Sequence, residues 1–208
     1  IVTYSGNGSA RAINHNLNAV PEMMWIKRTD GSDNWMVYHK AMGNTHYVEL
    51  NGGNTYAQFA AAWNNTSPTS TQFTVGTDGS VNGNGQSFVA YLFSSIEGYS
   101  KVGSFKGNGS SDGPYVYTGF RPQFLLIRSA TQGNNWAIID DKRDPYNSMH
   151  ERLHPNSNSS TNAGAGNVID FYSNGFKCVN TDSLENPSGH TAIYLAIAER
   201  PFKYSNAF

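Results

Sequence analysis

The feature that most constrains this chain is that it is written twice. Tyr4-Ser5-Gly6-Asn7-Gly8-Ser9 returns as Phe105-Lys106-Gly107-Asn108-Gly109-Ser110, 101 residues further on. Pro21-Glu22-Met23-Met24-Trp25-Ile26-Lys27 returns as Pro122-Gln123-Phe124-Leu125-Leu126-Ile127-Arg128 at the same offset. So does Asp33-Asn34-Trp35-Met36-Val37, as Asn134-Asn135-Trp136-Ala137-Ile138. The offset then drifts to 103 between Phe73 and Phe176, and to 104 between Ser87-Phe88-Val89 and Thr191-Ala192-Ile193. Three motifs at one unbroken spacing predict an internal duplication, with repeats over 1–100 and 101–208.

Each repeat reads as short strands between turn clusters. In the first, Ile1–Tyr4, Ala10–Ile13, Met23–Arg28, Trp35–His39, Tyr47–Leu50, Gln72–Val75 and Ser87–Ser94 are expected strands. Gln72-Phe73-Thr74-Val75 alternates polar and apolar residues, as a strand with one wet face does. The runs at 124–127 and 89–93 are continuously apolar, which fits strands buried on both faces. Hairpin turns are expected at Thr77-Asp78-Gly79-Ser80, Asn82-Gly83-Asn84-Gly85 and Ser173-Asn174-Gly175. Pro21 and Pro122 sit ahead of strands, where a missing N–H costs nothing. Helical signal is confined to 56–63, with Asn54 as its N-cap. The expected fold is all-β, two similar antiparallel β-sandwich halves of jelly-roll type.

Composition narrows the function. Charged residues are 14% of the chain against a usual ~25%, and 14 basic residues against 15 acidic ones leave a net charge of −1. A nucleic-acid binder working by counterion release needs a basic face, so that class is excluded. No apolar run nears the ~20 residues of a membrane helix, so membrane insertion is not expected either. The polar surface comes from 24 Asn, 22 Ser and 21 Gly. Cys178 is the one cysteine, so no intrachain disulfide forms, and its setting suits an inert thiol. The start at Ile1, without an initiator Met, reads as a piece of something longer.

Candidate chemistry is sparse. His150-Glu151-Arg152-Leu153-His154 matches the His-Glu-x-x-His zinc pattern, which needs a helix to set both imidazoles on one face. Pro155 follows immediately, and a solvated loop is the expectation. Asp140-Asp141-Lys142-Arg143-Asp144 lacks EF-hand spacing and reads as a charged turn whose cations pair its acids. His39 is expected as a cross-strand partner. No nucleophile elbow and no phosphate loop is present. No catalytic residue, metal ligand or cofactor is therefore assigned.

Aromatic residues beside amides are the remaining signal, since rings stack on the C–H faces of sugars while amides bond their hydroxyls. Tyr56, Trp63, Asn64, Asn65, Tyr115 and Tyr117 form the candidate carbohydrate-binding set. Trp35 and Trp136 occupy matching repeat positions and are expected in the two cores.

Several ordered stretches carry a family resemblance. They are the Tyr-Ser-Gly-Asn-Gly-Ser motif, the run from Asp33 to His39, Trp63-Asn64-Asn65-Thr66-Ser67-Pro68-Thr69-Ser70 and Phe73-Thr74-Val75-Gly76. The second copy adds Gly119-Phe120-Arg121-Pro122, Ser173-Asn174-Gly175-Phe176-Lys177 and the closing run from Tyr194 to Tyr204. Together they resemble a two-repeat domain at the C-terminal ends of virion structural and tail proteins of marine bacteriophages. The resemblance implies a non-enzymatic module on a tail fibre or spike, meeting a host-surface glycan or receptor. It also implies other virion proteins as partners, a homotrimer, and an end at Phe208 that is the protein's own. The alternatives are a purely structural virion module (head fibre, decoration or trimerising cap) and, behind it, a polysaccharide-degrading or zinc-dependent hydrolase.

Overall fold

A computed structural model describes residues 1–53, 57–158 and 166–199. The chain is all-β and divides into two compact units, Ile1–Ser94 and Ser95–Phe208. The division falls at Ser94/Ser95, six residues ahead of the expected repeat boundary, so that Ser100 opens the first strand of the second unit.

In the first unit the strands are β1 (Val2–Ser5), β2 (Arg11–Asn14), β3 (Met23–Arg28), β4 (Met36–His39), β5 (His46–Glu49), β6 (Ala57–Gln58), β7 (Gln72–Val75) and β8 (Ser87–Phe93). All seven expected strands are present, each within a residue of its expected bounds. Six form one antiparallel sheet in the order β1-β8-β3-β4-β5-β6, and β2 pairs with β7 in a second sheet. The sheets share one core: Ile13, Phe73 and Val75 from the small sheet meet Met24, Ile26, Tyr38, Phe88 and Ala90 from the large one. That packing of two sheets face to face is a β-sandwich. His39 lies opposite Met23 in the β3–β4 register, fully buried.

The second unit contains β9 (Ser100–Lys106), β10 (Tyr115–Tyr117), β11 (Pro122–Ser129), β12 (Ala137–Asp140), β13 (Ile169–Tyr172), β14 (Gly175–Cys178) and β15 (Thr191–Ala198). The sheet β9-β15-β11-β12 has the order that β1-β8-β3-β4 has in the first unit. The pair β10-β14 stands where β2-β7 stands, and β13 adds a third strand beyond β14. Val116, Phe171, Phe176 and Cys178 close the core against Leu125, Ile127, Ile139 and Tyr194. Leu125, Leu126 and Ile127 are successive and all at most 2% exposed, as a run buried on both faces requires. Among the described residues no helix is long and apolar enough to cross a membrane.

The repeated Gly-Asn-Gly motif is a turn with a lock. Gly8 and Gly109 take φ of 70° and 64°, a left-handed conformation that glycine adopts without strain. Each turn is held by a fully buried asparagine distant in sequence, Asn82 in one unit and Asn186 in the other. Both asparagines close a Thr-Asp-x-x-x-Asn segment. Asp78 accepts the N–H of Ser80, and Asp182 that of Leu184.

Two local expectations are corrected. Residues 77–80 do not make a hairpin turn, because Asp78 caps a short helix, α2 (Gly79–Asn82), whose Val81 and Asn82 are buried. The helical segment is also shorter than expected. Ala57–Gln58 pairs with β5, and only Ala60–Trp63 forms a helical turn, α1, preceded by Phe59 without a side-chain cap. Asn54 lies outside the described residues.

Candidate functional site

The sheet β10-β14-β13 buries every second residue and turns the others outward. Val116, Ile169, Phe171, Phe176 and Cys178 point into the core. Tyr115, Tyr117, Asp170, Tyr172 and Lys177 alternate with them and share the other face. The register lines them up in two rows across the strands: Tyr117, Gly175 and Tyr172 in one, Tyr115, Lys177 and Asp170 in the other. Gly175 leaves the middle of the first row without a side chain. The ring of Tyr115 leans into that space, so close that a Cβ on Gly175 would lie 2.7 Å from the Tyr115 hydroxyl. Tyr115 thereby meets Tyr172 edge to face, with ring centroids 5.8 Å apart. Tyr117 shares this face with the Tyr115–Tyr172 pair, and the exposures are 66% at Tyr117, 46% at Tyr115 and 41% at Tyr172.

Polar groups frame and pin these rings. The Tyr115 hydroxyl donates to Asn174 Oδ1, and the Tyr172 hydroxyl donates to Asp170 Oδ2 at 3.3 Å. Partial burial, with Tyr117 and Tyr172 nearby, raises the Tyr115 phenol above its ordinary pKa. Lys177 Nζ lies 2.5 Å from Asp112 Oδ1, which raises the ammonium and holds the carboxyl below the usual carboxylate range. Chemically the face offers flat apolar rings, exposed amide and carboxylate oxygens, and phenol hydroxyls. Such mixed surfaces suit a ligand that is apolar on its flat faces and polar at its rim.

The equivalent face of the first unit is different. There Ile13 pairs with Phe73 as Val116 pairs with Phe176. The outward residues are Ala12, Asn14, Gln72 and Thr74, with no ring among them. The strand arrangement therefore stands without tyrosines on this face.

The sequence-derived candidates separate accordingly. Tyr115 and Tyr117 lie on this outward face. Trp63 does not contribute to any surface: it is fully buried, meets Tyr38 edge to face at 5.9 Å, and donates its indole N–H to His46 O at 2.9 Å. Trp63 is thus corrected to a core residue, because α1 turns it into the sandwich. Asn64 and Asn65 both take left-handed φ, 51° and 50°, and terminate α1. Asn44 donates to Asn65 O at 2.8 Å, so this loop is closed on itself. Tyr56 lies outside the described residues. Trp136 is buried with the Arg128 guanidinium 5.3 Å from its ring centroid. Trp35 is half-buried beside Tyr91, against the expectation of a shared core role.

The segment 150–154 is extended. Leu153 pairs with Ile138 through two backbone hydrogen bonds, and the two histidines go separate ways. His154 is buried, with Nδ1 2.7 Å from Trp136 O, while exposed His150 approaches Asp144. No group of three or more potential metal-ligating side chains occurs among the described residues. In the charged turn, Arg143 pairs with Asp140 at 2.7 Å and Lys142 with Asp141 at 3.4 Å.

The sequence reading missed Tyr172, Asp170, Asn174 and Lys177. Their signal was present: Ile169-Asp170-Phe171-Tyr172 and Phe176-Lys177-Cys178 both alternate about Ser173-Asn174. A hairpin there puts the polar positions on the face that Tyr115 and Tyr117 use.

No curated protein and no solved structure matches the chain. A family model does, over residues 1–201, and by that match the chain belongs to the family described as a domain of unknown function, DUF7483.

Proposed function

We propose that this chain is a non-enzymatic recognition module, carried on a phage tail fibre or spike, that binds a host-surface glycan through the face bearing Tyr115, Tyr117 and Tyr172. The observation that carries the reading is the contrast between the units. On the corresponding strand pairs, β2-β7 presents Ala12, Asn14, Gln72 and Thr74, whereas β10-β14 presents Tyr115 and Tyr117, which Tyr172 of the added strand β13 joins, with Asn174, Asp112 and Lys177 beside them. A fold that is complete without those rings keeps them for something outside itself. What supports the virion setting is the ordered set of motifs that resembles phage tail proteins. Glycan arrays and whole-cell binding test the reading. Binding that disappears on removal of Tyr117 is expected, and the absence of binding to every glycan and cell tested overturns it.

A structural role is the second reading. Its motivation is β1, which stands at the end of its sheet among the described strands and carries no charge in Val2-Thr3-Tyr4-Ser5. Uncharged edges favour pairing with another chain. A trimer in sedimentation equilibrium, with no affinity for glycans, is the outcome that selects it.

A further inference from the structure

We infer that the tyrosine face is an open track for an uncharged polysaccharide lying across the strands, with several sugar units held at once. This rests on the glycan reading above and deepens it to a ligand class and a direction. The first ground is the extent of the ring row. Beyond β13, the chain at 147–149 continues the sheet: Met149 bridges Ile169, and the Asn147 amide imitates a strand. Asn147 Nδ2 donates to Phe171 O at 2.8 Å, and its Oδ1 accepts the Phe171 N–H at 2.9 Å. Tyr146, the residue before that anchor, is 79% exposed at the β13 edge. From Tyr117 on β10 to this segment is three inter-strand steps, roughly 14 Å. That is longer than one hexose ring.

The second ground is shape. The four rings are 41–79% exposed and share one sheet face or its edge, so the arrangement is an open surface, not a pocket closed around a chain end. An open row of rings accepts an internal stretch of polymer and gains affinity with each unit added.

The third ground is charge. The face carries the carboxylates Asp112 and Asp170 against the single ammonium Lys177, which Asp112 already engages at 2.5 Å. A polyanion would meet a surplus of negative charge, and a neutral polymer meets hydroxyl-bonding groups. The core of a protein–protein interface is depleted in Lys and Asp, and here Lys177 and Asp170 stand beside the rings.

The test uses the intact chain with disaccharides, tetrasaccharides and octasaccharides of glucan, mannan and galactan. The variants are Tyr146→Ala, Tyr172→Ala and, as a control on the other unit, Asn14→Ala. Affinity is expected to rise at least tenfold from disaccharide to octasaccharide. Tyr146→Ala should remove most of that gain and leave disaccharide binding in place, and Asn14→Ala should change neither. Equal affinity for all lengths overturns the track while leaving glycan recognition standing. Tighter binding to a polyuronate than to any neutral polymer overturns the ligand class. A dimer of the chain that Tyr146→Ala dissolves assigns the face to a second copy and overturns the proposal. No binding to any oligosaccharide, or to whole cells, overturns the underlying functional reading. Tyr172→Ala removes a ring that packs on Tyr115, so Tyr146→Ala, at an exposed position, is the deciding variant should the other fold poorly.

Discussion

Asn186 and Asn108, 78 residues apart, hold each other by two hydrogen bonds: Asn186 Oδ1 accepts the Asn108 backbone N–H at 2.8 Å, and Asn186 Nδ2 donates to Asn108 Oδ1 at 3.0 Å. The same amide nitrogen also reaches Ser110 O and Asn180 O. Asn82 repeats the arrangement on Asn7, Ser9 and Gly76 in the first unit. Replacing either asparagine by Ala leaves a set of part-buried backbone groups, and in the first unit the buried Gly76 O, without this partner, at about 1–3 kcal/mol for a fully buried group and not additively. Asn186→Ala is expected to destabilise by about 2–4 kcal/mol, and Asn82→Ala similarly. Urea denaturation measures this, and a loss below about 1 kcal/mol would show that the turns hold without their locks.

Arg152 and Glu185 form the most deeply buried ion pair described, with Arg152 Nη1 2.8 and 3.0 Å from the two carboxylate oxygens and 2.9 Å from Asp182 Oδ2. Burial pushes the Glu185 carboxyl up, against the pull of Arg152. The first unit has Val81 at the corresponding place before its buried asparagine. Removing the arginine alone strands a buried carboxylate, so Arg152→Ala is expected to cost about 3–5 kcal/mol. The double change Arg152→Met with Glu185→Val should recover most of that loss, because it restores an apolar site of the kind Val81 fills. Thermal melts of the three proteins decide it: a double variant no more stable than Arg152→Ala refutes the account.

The strands and their pairing units were legible because period-2 alternation and turn residues are local signals. Gln72–Val75 and Met23–Arg28 could be read from their own residues. Trp63 was not legible as core, since a one-turn helix placed by contacts with Tyr38 and His46 has no pattern of its own. Asp78 looked like a hairpin-turn residue because an aspartate that caps a helical turn has the same neighbours as one in a hairpin. The ring row was half legible. Tyr115 and Tyr117 announce themselves, but Tyr172 joins them only through the register that sets Gly175 between Tyr117 and Tyr172. Register is a tertiary fact, fixed by how Phe171 and Phe176 fill the core.

Cys178 offers a cheap reporter of the second unit. It is fully buried, its thiol donates to Glu185 O at 3.6 Å, and burial pushes its pKa far above the ordinary range. The thiolate is the reactive species, so the folded protein should be inert to a disulfide reagent at pH 8. Full reactivity is expected only in denaturant, with a midpoint matching that of unfolding. Rapid labelling without denaturant would mean that this unit opens locally.

Acid should weaken the fold through three aspartates. Arg28 holds Asp30 below the usual carboxylate range, Lys177 does so for Asp112, and for Asp140 the bonds from Arg143 outweigh the opposing effect of burial. A lowered folded pKa gives stability that is present above the unfolded value of 3.8 and is lost as pH falls through the folded values. Stability measured from pH 7 downward is therefore expected to fall below about pH 4. Asp140→Asn should lower stability at pH 7 and flatten that acid limb, and an unchanged limb would remove Asp140 from the account.

Tyr117 is the residue on which the functional reading is most exposed to refutation. It is 66% accessible, and its outward neighbour in the register is Gly175, so removing its ring empties no core. The corresponding position in the first unit is Asn14, on the same kind of strand and also outward. Tyr117→Asn therefore converts one face toward the other without a new fold requirement. Its melting temperature should match the parent's, while affinity for the best glycan falls about tenfold, which is about 1.4 kcal/mol of lost contact. Melting and binding are read on the same two proteins: unchanged affinity in a folded variant takes the tyrosine face out of recognition.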